Sequence, residues 1–186
     1  KPSDVPLGDP GVRQELLSHV NSPSGYEAAI ISDIAGKNDS KACTIDAISG
    51  GDYQRYGVSE GLATSVFLYS HSGSEGQPSA SRPQMWLSTL EPGVVPALAS
   101  DALDKLESRL FYLVREGSQY YISVTPNLNK MLVEHIDSVK RETERVDEII
   151  YSEINNMVGK GSFKECYIWP GGPREVNESR DLKLII

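Results

Sequence analysis

The chain has 186 residues and 20.4 kDa, with 18 Lys and Arg against 26 Asp and Glu, a net charge of −8 and an isoelectric point near 4.9. At roughly 150 residues per domain this is one or two domains with room for a core, and 39% hydrophobic with 24% charged residues is the balance of a soluble, folded chain. No apolar run approaches the roughly 18 residues of a membrane span, and two cysteines, Cys43 and Cys166, are too few for a disulfide scaffold or a zinc cluster.

In chain order, residues 1–57 read as a helical connecting segment. Asp9 can cap a helix opened by Pro10, with Val12, Leu16, Leu17 and Val20 on one face. A second apolar run, Tyr26 to Ile34, stops at Gly36, and Ile48 to Gly57, with three glycines, reads as a loop. Residues 58–125 carry sharper signals. Ser59 can cap a helix containing Leu62, Val66, Phe67 and Tyr69, and a polar loop follows over 72–79. Ser81 or Arg82 before Pro83 opens a short helix, Glu91-Pro92-Gly93 is a turn, and Pro96 opens a helix to Arg109. Two β-type runs, Leu110 to Val114 and Gln119 to Val124, flank the hairpin signal Gly117-Ser118. Helix, short helix, turn, helix, hairpin is the order of a winged helix-turn-helix.

Residues 126–160 are expected to form one long helical arm. Thr125 and Pro126 stand as cap and first residue, and Gly159 and Gly161 as the stop. Leu132, Ile136, Val139, Val146, Ile150 and Met157 recur at heptad-like steps, with Thr143 filling one inner position and Leu128, Ile149 and Ile154 widening the stripe. That is too much apolar surface to leave in water. These six residues are the candidate interface, and the helix is expected to lie on residues 1–57 and the winged helix or to pair with a second copy. Residues 161–186 read as strand, turn, strand and as the start of a following domain, and the chain as a piece of a longer protein. The fold class is α+β, mainly helical, with a central winged helix-turn-helix, a long helix and a short C-terminal strand pair.

The negative charge is spread evenly, with five basic and eight acidic residues in 1–57, four and seven in 58–125, five and seven in 126–160, and four each in 161–186. Nucleic-acid affinity comes chiefly from Lys and Arg neutralising phosphates, so a chain without a basic stripe argues against a DNA binder, and equally against an anionic membrane surface. The helix that would enter a major groove carries Asp101, Asp104 and Glu107 against Lys105 and Arg109. Lys105, Arg109 and Arg115 are the contacts it could offer DNA in the alternative reading, a winged-helix DNA-binding module of a regulator or phage-defence protein. The aromatic hairpin of Phe111, Tyr112, Tyr120 and Tyr121 reads as cross-strand packing rather than base stacking.

No catalytic, cofactor or metal site is expected in this chain. A P-loop needs a lysine after its second glycine, and Gly73-Ser74-Glu75-Gly76 has none. His19, His71 and His135 lie far apart and without metal-ligand spacing. Neither cysteine sits in a nucleophile motif, and carboxylate pairs such as Asp101 and Asp104 or Asp147 and Glu148 read as solvated helix faces, with Asp101 four residues before Lys105.

Several stretches nevertheless resemble one group of proteins. The run Leu110-Phe111-Tyr112-Leu113-Val114-Arg115-Glu116-Gly117, then Tyr120-Tyr121-Ile122-Ser123, then Thr125-Pro126-Asn127-Leu128-Asn129-Lys130 is similar to a signature of the large predicted AAA-type ATPases of bacteria and archaea, a family of unknown function. The opening Pro2-Ser3-Asp4-Val5-Pro6-Leu7, the helix Leu62 to Ser70 and Ile168-Trp169-Pro170-Gly171 are similar to it as well. The resemblance implies a cytoplasmic parent ATPase using ATP and magnesium, sometimes associated with DNA modification or phage defence, whose nucleotide-binding core precedes this region. It implies that this chain is a non-catalytic accessory region contacting other domains of the same polypeptide or a protein partner, with a homo-oligomer through the long helix as a further option. Within the Thr-Pro-Asn-Leu-Asn-Lys stretch, Asn127 and Asn129 are placed to bond nearby backbone groups and fix the arm against the hairpin, with ligand binding as the alternative.

Overall fold

The computed structural model describes residues 1–36, 39–71, 78–92, 94–158 and 161–186. The Gly73-Ser74-Glu75-Gly76 segment, Gly93 of the predicted turn, Gly159 as a helix stop and the side chain of Thr143 lie outside the described residues. The chain is α+β and mainly helical. It divides into two units, Lys1–Met131 and Leu132–Ile186.

The first unit opens on a 3-10 turn over Pro2–Asp4, followed by α1 (Pro10–Leu17) and α2 (Pro23–Ala29). The second of these runs on as a π turn over Ile30–Ile34. Then come α3 (Lys41–Ser49), α4 (Gly51–Tyr56), α5 (Val58–Tyr69), β1 (Ala80–Ser81), α6 (Arg82–Thr89), α7 (Pro96–Arg109), β2 (Leu113–Glu116) and β3 (Gln119–Ile122). The strands form one antiparallel sheet in the order β1-β3-β2, with Glu116 opposite Gln119 across the Gly117-Ser118 turn. Gly117 takes a left-handed φ of 61°, which suits a two-residue hairpin turn.

The central element is α5. Its residues from Val58 to Phe67 are buried except Glu60, so it is covered on nearly all sides and needs no polar face. Around it pack α3, α6, α7, β3 and the N-terminal turn. Gly61 lets that turn approach: a Cβ there would lie 3.2 Å from the Ser3 Cβ. The Ser3 hydroxyl donates to the Ser88 carbonyl at 2.6 Å. Leu7, Leu17, Ile30, Ile34 and Ile45 from the first 57 residues join Leu62, Phe67, Leu103, Leu106 and Ile122 in one core. Residues 1–57 and 58–125, read separately from sequence, thus share their hydrophobic interior.

Several local expectations change. The predicted cap at Asp9 is present, its carboxylate accepting from the Gly11 and Val12 N–H groups. The expected loop over 48–57 is instead mostly α4, held between Gly50 and Gly57, whose φ values of 61° and 55° let the chain turn sharply at either end. Ser59 does not cap α5. Its hydroxyl is buried without a hydrogen-bond partner, and the cap comes from a distant carboxylate described below. The first β run starts later than expected, because Leu110 caps the end of α7 through its N–H to Leu106.

The arm is not one helix. It consists of α8 (Leu128–Arg141), which begins in the first unit, and α9 (Thr143–Met157). Glu142 between them leaves helical geometry at φ −96° and ψ 47°. No Gly or Pro marks the break; it falls immediately before Thr143, a β-branched residue of low helix propensity. Nor does Thr125 cap the arm: Asn127 does, its side-chain oxygen accepting from the N–H groups of Asn129 and Lys130. In the second unit α9 is followed by β4 (Glu165–Tyr167) and β5 (Lys183–Ile185), which pair in parallel. A 3-10 turn over Pro173–Glu175 lies in the connection between them.

Candidate functional site

The sequence of residues 125–130 does its work where α7, β2 and α8 meet. The helical carbonyls at the end of α7 have no intrahelical partners of their own. Lys130 reaches back from the first turn of α8 and donates its ammonium to the carbonyls of Glu107, at 2.6 Å, and Leu110, at 3.0 Å. Asn127 donates its N–H to the Phe111 carbonyl at 2.8 Å. The start of the arm is therefore bolted to the last turn of α7 by a cap that serves both helices. Burial pulls the Lys130 ammonium below its usual range, opposed by the negative charge of Asp33 and Glu107.

Asp33, from the π turn, completes this junction. It is fully buried, and its carboxylate accepts from the Tyr112 N–H at 2.7 Å and the Ser32 hydroxyl at 2.9 Å. Burial raises its pKa against the pull of those donors and of Lys41. Lys41 itself stands 4.1 Å from the centre of the Phe111 ring. Asp46, on α3, plays the matching part for α5: its two oxygens accept from the Ser59 N–H at 2.9 Å and the Glu60 N–H at 3.1 Å. Burial pushes its carboxyl up as well. Both carboxylates are committed to main-chain donors, which is a folding role rather than acid-base chemistry. Neither was visible in the sequence, where an Asp inside a short apolar run carries no sign of which distant N–H groups it will meet.

Of the three residues considered for DNA contact, two are engaged by acidic neighbours. Lys105 pairs with Asp101 at 2.8 Å, the expected i,i+4 contact, and also donates to the Ser49 and Tyr53 hydroxyls. It lies over the Tyr53 ring, so it is held in the fold instead of extended toward a ligand. Burial and the Asp101 carboxylate together push the Tyr53 hydroxyl well above its usual range, its Oη lying 2.5 Å from Asp101. Arg115 is paired with Glu107 at 3.2 Å and donates to the Gly117 carbonyl. Arg109, at the last turn of α7, is exposed. Of the hairpin aromatics, Tyr120 is fully buried and its hydroxyl accepts from Arg82, while the Tyr121 hydroxyl donates to Glu116. Tyr120 thus belongs to the core, and Tyr121 bonds across the hairpin.

The thiol of Cys43 is pushed up by burial, which disfavours the reactive thiolate, and both cysteines are free. Among the described residues no cluster of His, Cys, Asp or Glu could hold a metal ion. Among them, too, no helix is long and apolar enough to cross a membrane. An open groove lined by Pro83, Trp86, Leu87 and Leu90 lies along α6, and the Trp86 indole N–H there has no hydrogen-bond partner.

The largest unsatisfied feature is the stripe on α8 and α9. Of the six predicted interface residues, Leu132, Ile136, Val139, Ile150 and Met157 are exposed, Met157 by 81%, and Val146 is half-buried. Leu128, Val133, Ile149 and Tyr151 add to the exposed apolar surface. Charged residues, among them Glu134, Arg141, Glu144 and Glu148, take the other side of the helices. The chain matches no protein-family model, no curated protein and no solved structure.

Proposed function

We propose that this chain is a non-catalytic accessory region of a larger AAA-type ATPase, and that α8 and α9 form its docking arm, carrying nucleotide-dependent movement to a protein surface. The observation that carries this reading is the apolar stripe from Leu132 to Met157, which is amphipathic, long and exposed. Residues 58–125 are read as a winged helix-turn-helix on the order α5-β1-α6-α7-β2-β3 with a three-stranded sheet. The resemblance of the segment from Leu110 to Lys130 to the bacterial and archaeal ATPases supplies the parent, with ATP and magnesium bound outside this segment. The cap that Lys130 and Asn127 make at α7 suits a lever, because it ties the first turn of the arm to the core of the first unit.

Titration calorimetry of this chain with ATP and magnesium is expected to give no heat of binding, since the sequence has no P-loop lysine. Micromolar binding would sink the accessory reading. A P-loop in the gene upstream of Lys1 is the matching positive test.

The winged-helix order also admits the DNA-binding alternative. The −8 net charge and the pairing of Lys105 and Arg115 with acidic neighbours argue against it. Fluorescence anisotropy with duplex DNA at physiological salt is expected to show binding weaker than about 10 μM, unchanged by Arg109→Ala. Sub-micromolar affinity with a steep salt dependence would make DNA the partner.

A further inference from the structure

We infer that the partner of the arm is a second copy of this chain, paired antiparallel through α8 and α9. The inference rests on the reading of these helices as a docking arm and names what they dock.

In the heptad frame set by the stripe, Leu132, Val139 and Val146 occupy one core row, and Ile136, Ile150 and Met157 the other. The positions that flank the core and decide orientation are Val133, Lys140, Asp147 and Ile154 on one side, and His135, Glu142, Ile149 and Asn156 on the other. A parallel in-register pair sets Glu142 of one chain against Asp147 of the other, twice, and His135 against Lys140. Neither contact pairs opposite charges.

Antiparallel pairing brings like flanks together, and one register is singled out. It places Lys140 of each chain against Asp147 of the other and Val133 against Ile154. The same register stacks Leu132 on Met157 and Val139 on Ile150, twice each by symmetry. It also sets Ile136 against Glu153 and Val146 against Thr143, the two polar positions in the core rows. A slip of one heptad in either direction brings Lys140 onto Lys140 or Asp147 onto Asp147. Charge therefore selects one arrangement out of the four.

The break at Glu142 fits this arrangement. The two-fold axis passes beside it, so α8 of one chain lies on α9 of the other and each contact is made by an unbroken helix. The same pairing cannot form within one chain. Reversing a helix onto its neighbour takes a loop of about two to five residues, and only Glu142 separates α8 from α9.

The test is analytical ultracentrifugation of the whole chain with charge-reversal variants. Wild type is expected to sediment at twice 20.4 kDa at about 100 μM and to dissociate on dilution. Lys140→Glu and Asp147→Lys should each weaken self-association about tenfold or more, since either change makes both ion pairs repulsive. Mixing the two variants should restore the dimer, and so should combining both substitutions in one chain. A wild-type monomer at that concentration, or single variants that associate like wild type, would overturn the inference. In the monomer case, the melting temperature of Val139→Asp/Val146→Asp separates the two readings. If it is unchanged, the arm still stands as a docking surface for another partner; if it falls, the stripe is covered by its own chain and the arm reading fails too.

Discussion

Asp46→Ala is expected to lower the stability of the Lys1–Met131 unit by about 2–4 kcal/mol, because it leaves one buried and one half-buried N–H group without acceptors. Gly57, the left-handed residue just before helix α5, offers no side chain to cap it. The Ser59 hydroxyl, which could have served, is buried without a partner. The orphan donors of Ser59 and Glu60 are met instead by Asp46, thirteen and fourteen residues earlier in the chain and only 6% exposed. Its negative charge also lies at the positive end of the most deeply buried helix. Asp46→Asn keeps one acceptor but turns an amide toward the second N–H, so its loss should fall between those of wild type and alanine. Asp52→Ala, at an exposed position on α4, is the control and should stay within about 0.5 kcal/mol. Urea unfolding checks all three. A loss under about 1 kcal/mol for Asp46→Ala would mean that water reaches the start of α5 and that the carboxylate is not its cap.

Val139→Asp/Val146→Asp is expected to weaken self-association about 1,000-fold or more, with the first unit melting as before. Each pair of chains loses four valines from its core rows. A fully buried valine contributes about 1.5 kcal/mol or more, before the cost of desolvating a carboxylate is added. Neither valine belongs to the core built around α5. Glu148→Ala, on the solvent side of the stripe, should leave association unchanged. Sedimentation and circular-dichroism melting read the two quantities independently. Wild-type mass in the double variant would show that the stripe takes no part in an interface.

The two predictions concern different kinds of information. The stripe from Leu132 to Met157 was legible because helical periodicity is local: the spacing of apolar residues alone defines which of them share a face. The same holds for Asp9 before Pro10, for the Gly117-Ser118 hairpin and for the acidic balance of α7, each a signal contained within a few residues. The break at Glu142 was not legible. Thr143 is a weak helix former, but weak propensity does not say whether a helix will bend, and no Gly or Pro stands there to force it.

What the tertiary structure alone decided is the role of the polar residues. Asp33, Asp46 and Lys130 look like ordinary surface charges in the sequence. In the fold they are drawn inward by main-chain groups left unpaired at helix ends and at the exit from α7. Arg115, which from sequence could face a phosphate, is instead engaged by Glu107, and Lys105 is held by the Ser49 and Tyr53 hydroxyls beyond its expected i,i+4 contact with Asp101. Sequence determined which surfaces are apolar because hydrophobicity is a property of each residue by itself. It could not determine the long-range pairings of charge and hydrogen bond, because those depend on which distant donors and acceptors folding brings within about 3 Å.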